Sequence, residues 1–160
     1  MQPPLEAALE AVALRLSAAR VPFLLGGSAL LDALGLDVTV RDIDLMLRPE
    51  DRAAFEAACA DWLVATTTEP GEILSSDWKA TLDVGGVEVE GLGGLSVAGG
   101  AGGAAAPFRA GGSRRYGAAE VPLCDAAVWL ELYRVYKPEK ALLLERLLRL
   151  GREGEGSPGT

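Results

Sequence analysis

The chain has 160 residues, a length that predicts one domain with room for a substantial buried core. Its net charge of −8 argues against a broad nucleic-acid-binding surface, because an acidic protein gains little from counterion release. It contains no histidine, which excludes Ser-His-Asp and Cys-His catalysis, and its two cysteines cannot complete a zinc site.

The N-terminal segment is predicted to be a helix. Pro3 and Pro4 suit its first turn, and Pro22 biases Val21 toward an extended conformation, so the helix should end near Arg20. Apolar residues recur within it at helical spacing: Leu5, Leu9, Val12 and Leu16. No basic segment precedes an apolar run, and no apolar stretch approaches membrane-spanning length, so we expect a cytoplasmic protein without a membrane partner.

Residues 21–47 are predicted to form the functional centre. A short strand, Val21–Leu25, leads into a Gly-Gly-Ser turn, and a brief helix follows that ends near Gly35. Glycines in such a turn let the backbone approach a ligand, and the helix N-terminus offers free N–H groups to a phosphate. Ser28 either donates its hydroxyl to that phosphate or serves only as the N-cap of the helix.

A second predicted strand, residues 42–47, carries two carboxylates. Asp42 and Asp44 share a face, because side chains two apart on a strand point to the same side. The alternate residues face a core: Ile43, Leu45 and Leu47. Adjacent ionised carboxylates in an apolar strand repel each other, so the pair indicates a bound cation, and oxygen ligands favour Mg²⁺ or Mn²⁺. Arg41 should point to the opposite face and orient neighbouring structure.

The next elements are a helix, a strand and a hairpin. Pro49 opens a helix that should run to about Ala60, and residues 62–68 read as a strand. The segments 79–84 and 87–90 then flank Gly85-Gly86, a dipeptide that tolerates the positive φ of a two-residue turn. Such a turn pairs Val84 with Val87, Asp83 with Glu88, and Thr81 with Glu90. Glu88 and Glu90 then share a polar face that can supply a third carboxylate.

The remaining chain divides into a loop, two helices and a tail. Residues 91–113 are rich in Gly and Ala and read as a long mobile loop, although residues 92–97 can extend the sheet. Asp125 should cap a helix through about Tyr136, and Pro138 should start another helix that Gly151 ends. We therefore predict one domain over residues 1–151, with a helical C-terminal part at 124–151, and a flexible tail at 152–160.

The glycine turn followed by Asp-Ile-Asp resembles the signature of the nucleotidyltransferase fold, the polymerase-beta-like superfamily. The match is to small stand-alone members, such as the minimal and kanamycin nucleotidyltransferases, and covers residues 21–97. The matching residues are Gly26, Gly27 and Ser28, then Asp42 and Asp44, then Glu90 or Glu88. The ending VPLCDAAVWLELYRVYKPEKALLLERLL is similar to the C-terminal helices of these members.

The resemblance implies an α/β fold with a small mixed sheet flanked by helices and a C-terminal helical pair that completes the cleft. It implies Mg²⁺- or Mn²⁺-dependent transfer of a nucleoside monophosphate from an NTP to a hydroxyl on a small molecule or protein. The implied catalytic and metal-binding residues are Asp42, Asp44 and Glu90, and the implied nucleotide-binding residues are Gly26, Gly27, Ser28 and Lys140. Glu90 is preferred to Glu88 because the following Gly-Leu-Gly-Gly resembles the family's continuation, and Lys140 is preferred to Lys137; a solvated helix end is the alternative for either lysine.

One departure from the family pattern supports a different function. The third acid of active members is often Asp, whereas this chain offers Glu. The alternative is a catalytically silent nucleotidyltransferase-like binding module, such as an antitoxin-type partner of a helical protein. The leucine-rich last helix would then provide the partner surface, and four of its leucines are either core or a dimer seam: Leu142, Leu143, Leu147 and Leu150. A third interpretation is a structural α/β domain in which Asp42 and Asp44 only cap a sheet edge.

Overall fold

The computed structural model describes residues 1–97 and 105–155. In chain order its strands are β1 (Leu24–Gly26), β2 (Ile43–Leu47), β3 (Leu63–Thr67), β4 (Leu74–Ser75), β5 (Trp78–Val84), β6 (Val87–Gly93), β7 (Ser96–Val97), β8 (Ala110–Tyr116) and β9 (Ala119–Cys124). Its helices are α1 (Pro3–Ala18), α2 (Gly27–Ala33), α3 (Arg52–Ala58), α4 (Ala126–Tyr136) and α5 (Pro138–Glu155), and a 3-10 turn spans Pro49–Asp51.

A mixed seven-stranded sheet organises these elements, in the spatial order β3-β5-β6-β2-β1-β9-β8. The pairs β2/β6 and β1/β9 are parallel and the other neighbours are antiparallel, while β4 and β7 form a separate two-stranded sheet. Helices α4 and α5 pack against each other. The predicted α/β class, with a mixed sheet and a C-terminal helical pair, is confirmed.

Helix α1 supplies much of the core. It contacts β5, β6, β8 and β9, and its apolar face is fully buried at Leu9, Val12 and Leu16. The helix ends where Arg20 adopts a left-handed φ of 57° and the Val21 N–H donates to the Leu16 carbonyl. Among the described residues, no helix has both the length and the apolar character that crossing a membrane requires.

The predicted hairpin is confirmed in register as well as in position. Gly85 and Gly86 both have positive φ, and the strands on either side pair Val84 with Val87 and Thr81 with Glu90. The turn fixes this register locally, because a two-residue loop leaves the flanking strands only one pairing. The hairpin register thereby fixes the position of Glu90 along β6, opposite Thr81 of β5.

Two sequence predictions about irregular segments need correction. Strands continue over 92–97, as the sequence allowed, because β6 reaches Gly93 and β7 follows, but the loop predicted to run to residue 113 is wrong at its end, where β8 begins at Ala110; residues 98–104 lie outside the described part. Helix α5 continues through Gly151 to Glu155, so the helix does not end at that glycine and part of the expected tail is helical. One interior glycine costs only about 1 kcal/mol, which does not by itself end a long helix. The rest of the expected tail, 156–160, also lies outside the described residues.

Candidate active site

Three strands bring acidic residues together in the middle of the sheet. β2 begins at Ile43, so Asp42 lies directly before the strand and Asp44 lies within it. Asp44 is the register partner of Gly26 on β1 and of Glu90 on β6. Because register partners project from the same face, the Asp44 and Glu90 side chains lie side by side. The face opposite the acids is apolar, as predicted, with Ile43 and Leu45 fully buried.

The two glycines of the Gly-Gly-Ser turn make room for neighbouring side chains. Gly27 has a φ of 61°, and a Cβ there would lie less than 3.0 Å from Asp44 Oδ2. A Cβ on Gly26 would overlap the Trp129 ring of α4 in the same way. The turn therefore leaves space for Asp44 of β2 beside Gly27 and for Trp129 of α4 beside Gly26. Whether these glycines also hold a phosphate remains a prediction.

Ser28 does not cap the helix that follows the turn. Gly26 occupies the N-cap position of α2, and no side-chain capping bond forms there. The capping alternative for Ser28 is therefore wrong. Its side chain instead lines a cavity that also borders Asp42.

Asp44 has a strongly raised pKa. Its pKa is raised to about 7, chiefly by burial and in addition by the neighbouring charges of Asp42 and Glu90. Lys137 and Lys79 act in the opposite direction and lower the pKa of Asp44. The carboxylate is thus held among like charges in a desolvated place, where a positive partner would stabilise its ionised form.

A cavity of about 420 Å³ borders Asp44, and we call it the acidic cavity. Asp44, Glu90, Lys79 and Tyr136 line one part of it, and residues 67–76 provide most of the remainder. The Lys79 Nζ atom lies 3.4 Å from Glu90 Oε1. The third predicted carboxylate is therefore engaged by a lysine.

A second cavity, of about 480 Å³, borders Asp42, and we call it the basic cavity. Its polar lining consists of three cations, two acids and two hydroxyls: Arg41, Lys137, Lys140, Asp42, Glu139, Ser28 and Thr39. The prediction that Arg41 faces away from Asp42 is wrong. The alternation of a strand does not extend to Arg41, because β2 begins only at Ile43. Asp42 lines one cavity and Asp44 the other, so the pair lies between them.

Helix α4 adds aromatic residues that the sequence analysis did not assign to the site. The Tyr133 and Tyr136 rings lie 5.3 Å apart, and Lys140 Nζ lies 5.7 Å from the centre of the Tyr133 ring. Burial raises the pKa of both tyrosines, with Asp44 adding to the shift, and burial together with Lys137 lowers the pKa of Lys140. The predicted N-cap at Asp125 and the i, i+3 spacing of the tyrosines were the available signals.

The structure brings most of the predicted site residues together but leaves one candidate outside. The residues that line the two cavities are Ser28, Asp42, Asp44, Glu90 and Lys140, and Gly26 and Gly27 lie beside Asp44. Glu88 lies elsewhere: it is exposed and borders a shallow depression beside Val64 and Asp83. Of the two candidate glutamates, Glu90 is therefore the neighbour of Asp44.

The donor chemistry of the acidic residues suits a hard divalent cation, although the carboxylates are not assembled around one. Among the side chains of residues 1–97 and 105–152, no three acids or thiols converge closely enough to hold a metal ion as they stand. Asp42 and Asp44 offer adjacent oxygen donors, and a bound cation would stabilise the ionised form that the raised pKa of Asp44 disfavours. Glu90 would complete the set by turning from Lys79 toward Asp44.

Comparison with known proteins places the fold. No protein-family model matches the chain, and no curated protein matches it in sequence. A crystal structure from Thermotoga maritima, of a protein provisionally assigned as a nucleotidyltransferase, is 20% identical with a TM-score of 0.73 and covers 93% of this chain and 95% of its own. The solution structure of the antibiotic-resistance factor ANT(2″)-Ia is 17% identical with a TM-score of 0.62, covering 96% of this chain and 88% of its own.

A crystal structure of ANT(2″)-Ia in complex with adenylyl-2″-tobramycin is also similar. It is 15% identical with a TM-score of 0.58 and covers 93% of this chain and 91% of its own. At these identities the likeness concerns the fold. The chain has the nucleotidyltransferase fold, as the sequence resemblance implied.

Proposed function

We propose that this protein is a metal-dependent nucleotidyltransferase that moves a nucleoside monophosphate from an NTP to a hydroxyl group. One observation carries the proposal: Asp42 and Asp44 lie between a basic cavity and a second cavity that contains Glu90. Nucleotidyl transfer needs such an arrangement, because a polyanionic donor and a hydroxyl acceptor must meet at one charge-stabilised centre. The similar solved structures support the same class of reaction.

The basic cavity suits the triphosphate of the donor. Lys137, Lys140 and Arg41 supply positive charge, and Ser28 supplies a hydroxyl donor. Gly26 and Gly27 add main-chain groups at the start of α2. Because α2 has only seven residues, the side-chain cations provide most of the attraction.

The acidic residues would hold the metal. Asp42, Asp44 and Glu90 would bind Mg²⁺ or Mn²⁺ through carboxylate oxygens, and the bound metal would supply Lewis-acid stabilisation of charge on the transferring phosphoryl group. In the protein itself, Asp44 is half-buried and poorly solvated, and Gly27 leaves the space in which its carboxylate lies.

The acidic cavity suits the acceptor. Its volume of about 420 Å³ falls in the range of small-molecule pockets, roughly 300–1,000 Å³. Glu90 would take the proton from the acceptor hydroxyl, whose oxygen then bonds to the α-phosphorus while the bond to pyrophosphate breaks. ANT(2″)-Ia was solved with adenylyl-2″-tobramycin, so a nucleotidylated small molecule has a precedent on this fold.

The direct test is calorimetric titration with each NTP in the presence of Mg²⁺, followed by an assay for pyrophosphate release. We expect the wild type to bind at least one NTP and the Asp42→Ala/Asp44→Ala variant to lose that binding. Asp37→Ala is the matched control, because it removes an exposed acid before β2. Absence of NTP binding by the wild type, or equal binding by the double variant, would refute the proposal.

A second candidate is a catalytically silent module that binds a helical protein. The Lys79–Glu90 ion pair favours it, since a lysine of the protein already engages the third carboxylate. Helix α5 also exposes leucines at 142, 143 and 150. Nucleotide binding without pyrophosphate release, for every NTP and a panel of hydroxyl compounds, would support this candidate. Sedimentation would then distinguish self-association from a monomer that awaits a different partner.

A further inference from the structure

Lys79, Glu90 and Asp44 form a row of alternating charge across three neighbouring strands. Lys79 lies on β5, Glu90 on β6 and Asp44 on β2, and these strands are adjacent in the sheet. Glu90 is the register partner of Asp44, and its Oε1 atom lies 3.4 Å from Lys79 Nζ. One glutamate therefore has a cation on one flank and a half-buried carboxylate on the other.

We infer that Lys79 is the internal counter-ion of the acidic site: it holds Glu90 while no metal is bound and releases it to an incoming divalent cation. The inference rests on the proposed function, because it concerns the same carboxylates. It assigns Lys79 a positioning role and predicts that this lysine lowers the affinity for the metal. The reason is that cation binding must break the Lys79–Glu90 ion pair before Glu90 can act as a ligand.

Glu90 is paired with a lysine and not with an arginine, and this makes such an exchange feasible. Among the described residues, every other ion pair between side chains uses an arginine, and this pair alone uses a lysine. A guanidinium can hold a carboxylate with two parallel hydrogen bonds, whereas an ammonium on a flexible stem acts as a point charge that moves easily. The Lys79 side chain is 41% exposed, so water can receive it when Glu90 turns away.

The competition also accounts for the geometry of the acids. No three of the described carboxylates converge on one point, although Asp44 and Glu90 are register partners. The ion pair explains this separation, because Glu90 gains more from the Lys79 ammonium than from a place beside the Asp44 carboxylate. A divalent cation reverses that preference by attracting both acids.

The test is a titration of the metal-free protein with Mn²⁺, followed by electron paramagnetic resonance or calorimetry. In Lys79→Met, which keeps the stem and removes the charge, we expect Mn²⁺ to bind roughly three- to tenfold more tightly. Arg115→Met is the matched control, because Arg115 forms a cross-strand ion pair with Glu120, at 3.3 Å, near the far edge of the sheet. This control should leave the Mn²⁺ affinity unchanged. Unchanged or weaker binding in Lys79→Met would overturn the inference.

Two further variants distinguish the effect of the Lys79–Glu90 ion pair from a general repulsion between Lys79 and the metal ion. In a Glu90→Gln background, adding Lys79→Met should change the affinity by less than about twofold, because no carboxylate is left for Lys79 to hold. If the full effect persists there, Lys79 only repels the cation and the inference fails. Lys79→Arg should weaken Mn²⁺ binding, because a guanidinium holds Glu90 more firmly, and it serves as the test if Lys79→Met does not fold.

The inference and the proposed function can fail separately. If the wild type binds Mn²⁺ and releases pyrophosphate while Lys79→Met has the same affinity as the wild type, only the inference fails. If Lys79→Met tightens Mn²⁺ binding but no NTP yields pyrophosphate, only the proposed function fails. If neither protein binds Mn²⁺, with or without NTP, both fail.

Discussion

The Asp44 carboxylate lies directly against Gly27, whose φ of 61° and missing Cβ leave space for Oδ2. The Gly-Gly-Ser turn and the Asp-Ile-Asp strand therefore form a single structural unit. They are joined by the antiparallel pair β1/β2, in which Gly26 is the register partner of Asp44. This contact explains why the glycines precede the acids at this spacing.

Gly27→Ala should damage the site more than it damages the fold. The added Cβ must displace Asp44, and a left-handed alanine costs about 1–2 kcal/mol. We expect Mn²⁺ affinity to fall at least tenfold in a titration of the folded variant. Gly85→Ala is the control, because Gly85 has the same φ of 61° and no atom within 4 Å of an added Cβ. It should lose similar backbone stability and keep its cation affinity; equal losses of affinity in both variants would contradict the explanation.

The raised pKa of Asp44 predicts an unusual pH dependence of stability for the metal-free protein. The folded carboxyl holds its proton up to about pH 7, whereas its ordinary pKa is 3.8, so the folded state binds more protons between these values. The free energy of unfolding should therefore fall as pH rises from about 4 to 7, by at most about 4 kcal/mol at 1.36 kcal/mol per pH unit.

Urea unfolding at pH 5 and pH 8 measures this effect. Asp44→Asn should be more stable than the wild type at pH 8, and its stability should depend less on pH. Glu88→Gln, an exposed acid outside both cavities, should behave as the wild type does. Mg²⁺ should raise the stability of the wild type at pH 8 but not that of Asp44→Asn. A wild type whose stability rises steadily over this pH range would disprove the assignment.

Asp125→Ala should destabilise the helix that carries Trp129 and Tyr133. The Asp125 side chain accepts a hydrogen bond from Ala127 N–H at 2.9 Å and another from Arg109 Nε at 2.6 Å. Losing this N-cap should cost about 1 kcal/mol in urea unfolding at pH 7. The Ala127 hydrogen bond and Arg109 lower the pKa of Asp125, so its contribution is present above the ordinary pKa of 3.8 and lost at lower pH.

Asp125→Asn separates the cap from the charge. Asparagine caps helices about as well as aspartate does, so this variant should retain most of the stability that alanine loses. It should not reproduce the dependence of stability on pH below 4. If Asn and Ala cost the same, the ion pair with Arg109 matters more than the cap.

Local signals in the sequence predicted the parts of the site that local structure fixes. Gly85-Gly86 determined the hairpin register, and with it the height of Glu90. The choice between Glu88 and Glu90 could not be made from the hairpin alone, because both share one face. The parallel pairing of β2 with β6 makes Glu90 the partner of Asp44, and that pairing joins segments more than forty residues apart.

Features held by distant contacts were missed. β8 reads AGGSRRY and is exposed except at Tyr116, so it shows no apolar alternation. Its pairing with β9 and a bulge between Ala110 and Ser113 hold it in the sheet. Lysine usage was an available signal: the chain has three lysines against twelve arginines, and Lys79, Lys137 and Lys140 all line the two cavities.

Glu90→Gln should reduce nucleotidyl transfer far more than nucleotide binding. The amide keeps the size of the side chain but cannot accept the acceptor's proton, so kcat should fall roughly 10²- to 10⁴-fold. Steady-state pyrophosphate release with the best NTP measures this loss. Glu88→Gln makes the same chemical change two residues away, at an exposed place, and should stay within about twofold of the wild type. Equal loss in both variants would show that Glu90 has no special role.

Lys140→Met should weaken NTP binding without changing the metal site. Lys140 lines the basic cavity with Lys137, and burial together with that second lysine lowers its pKa, so an incoming triphosphate would relieve their mutual repulsion. Losing one charge-assisted hydrogen bond worth about 1.5–3 kcal/mol should raise the Kd for NTP roughly 10- to 100-fold. Arg134→Met is the control, because Arg134 also lies on the helical pair but binds Glu131 and Glu145 away from both cavities. Calorimetric titration at fixed Mg²⁺ measures the Kd for NTP of each variant. If the two variants bind NTP equally well, the triphosphate does not occupy the basic cavity.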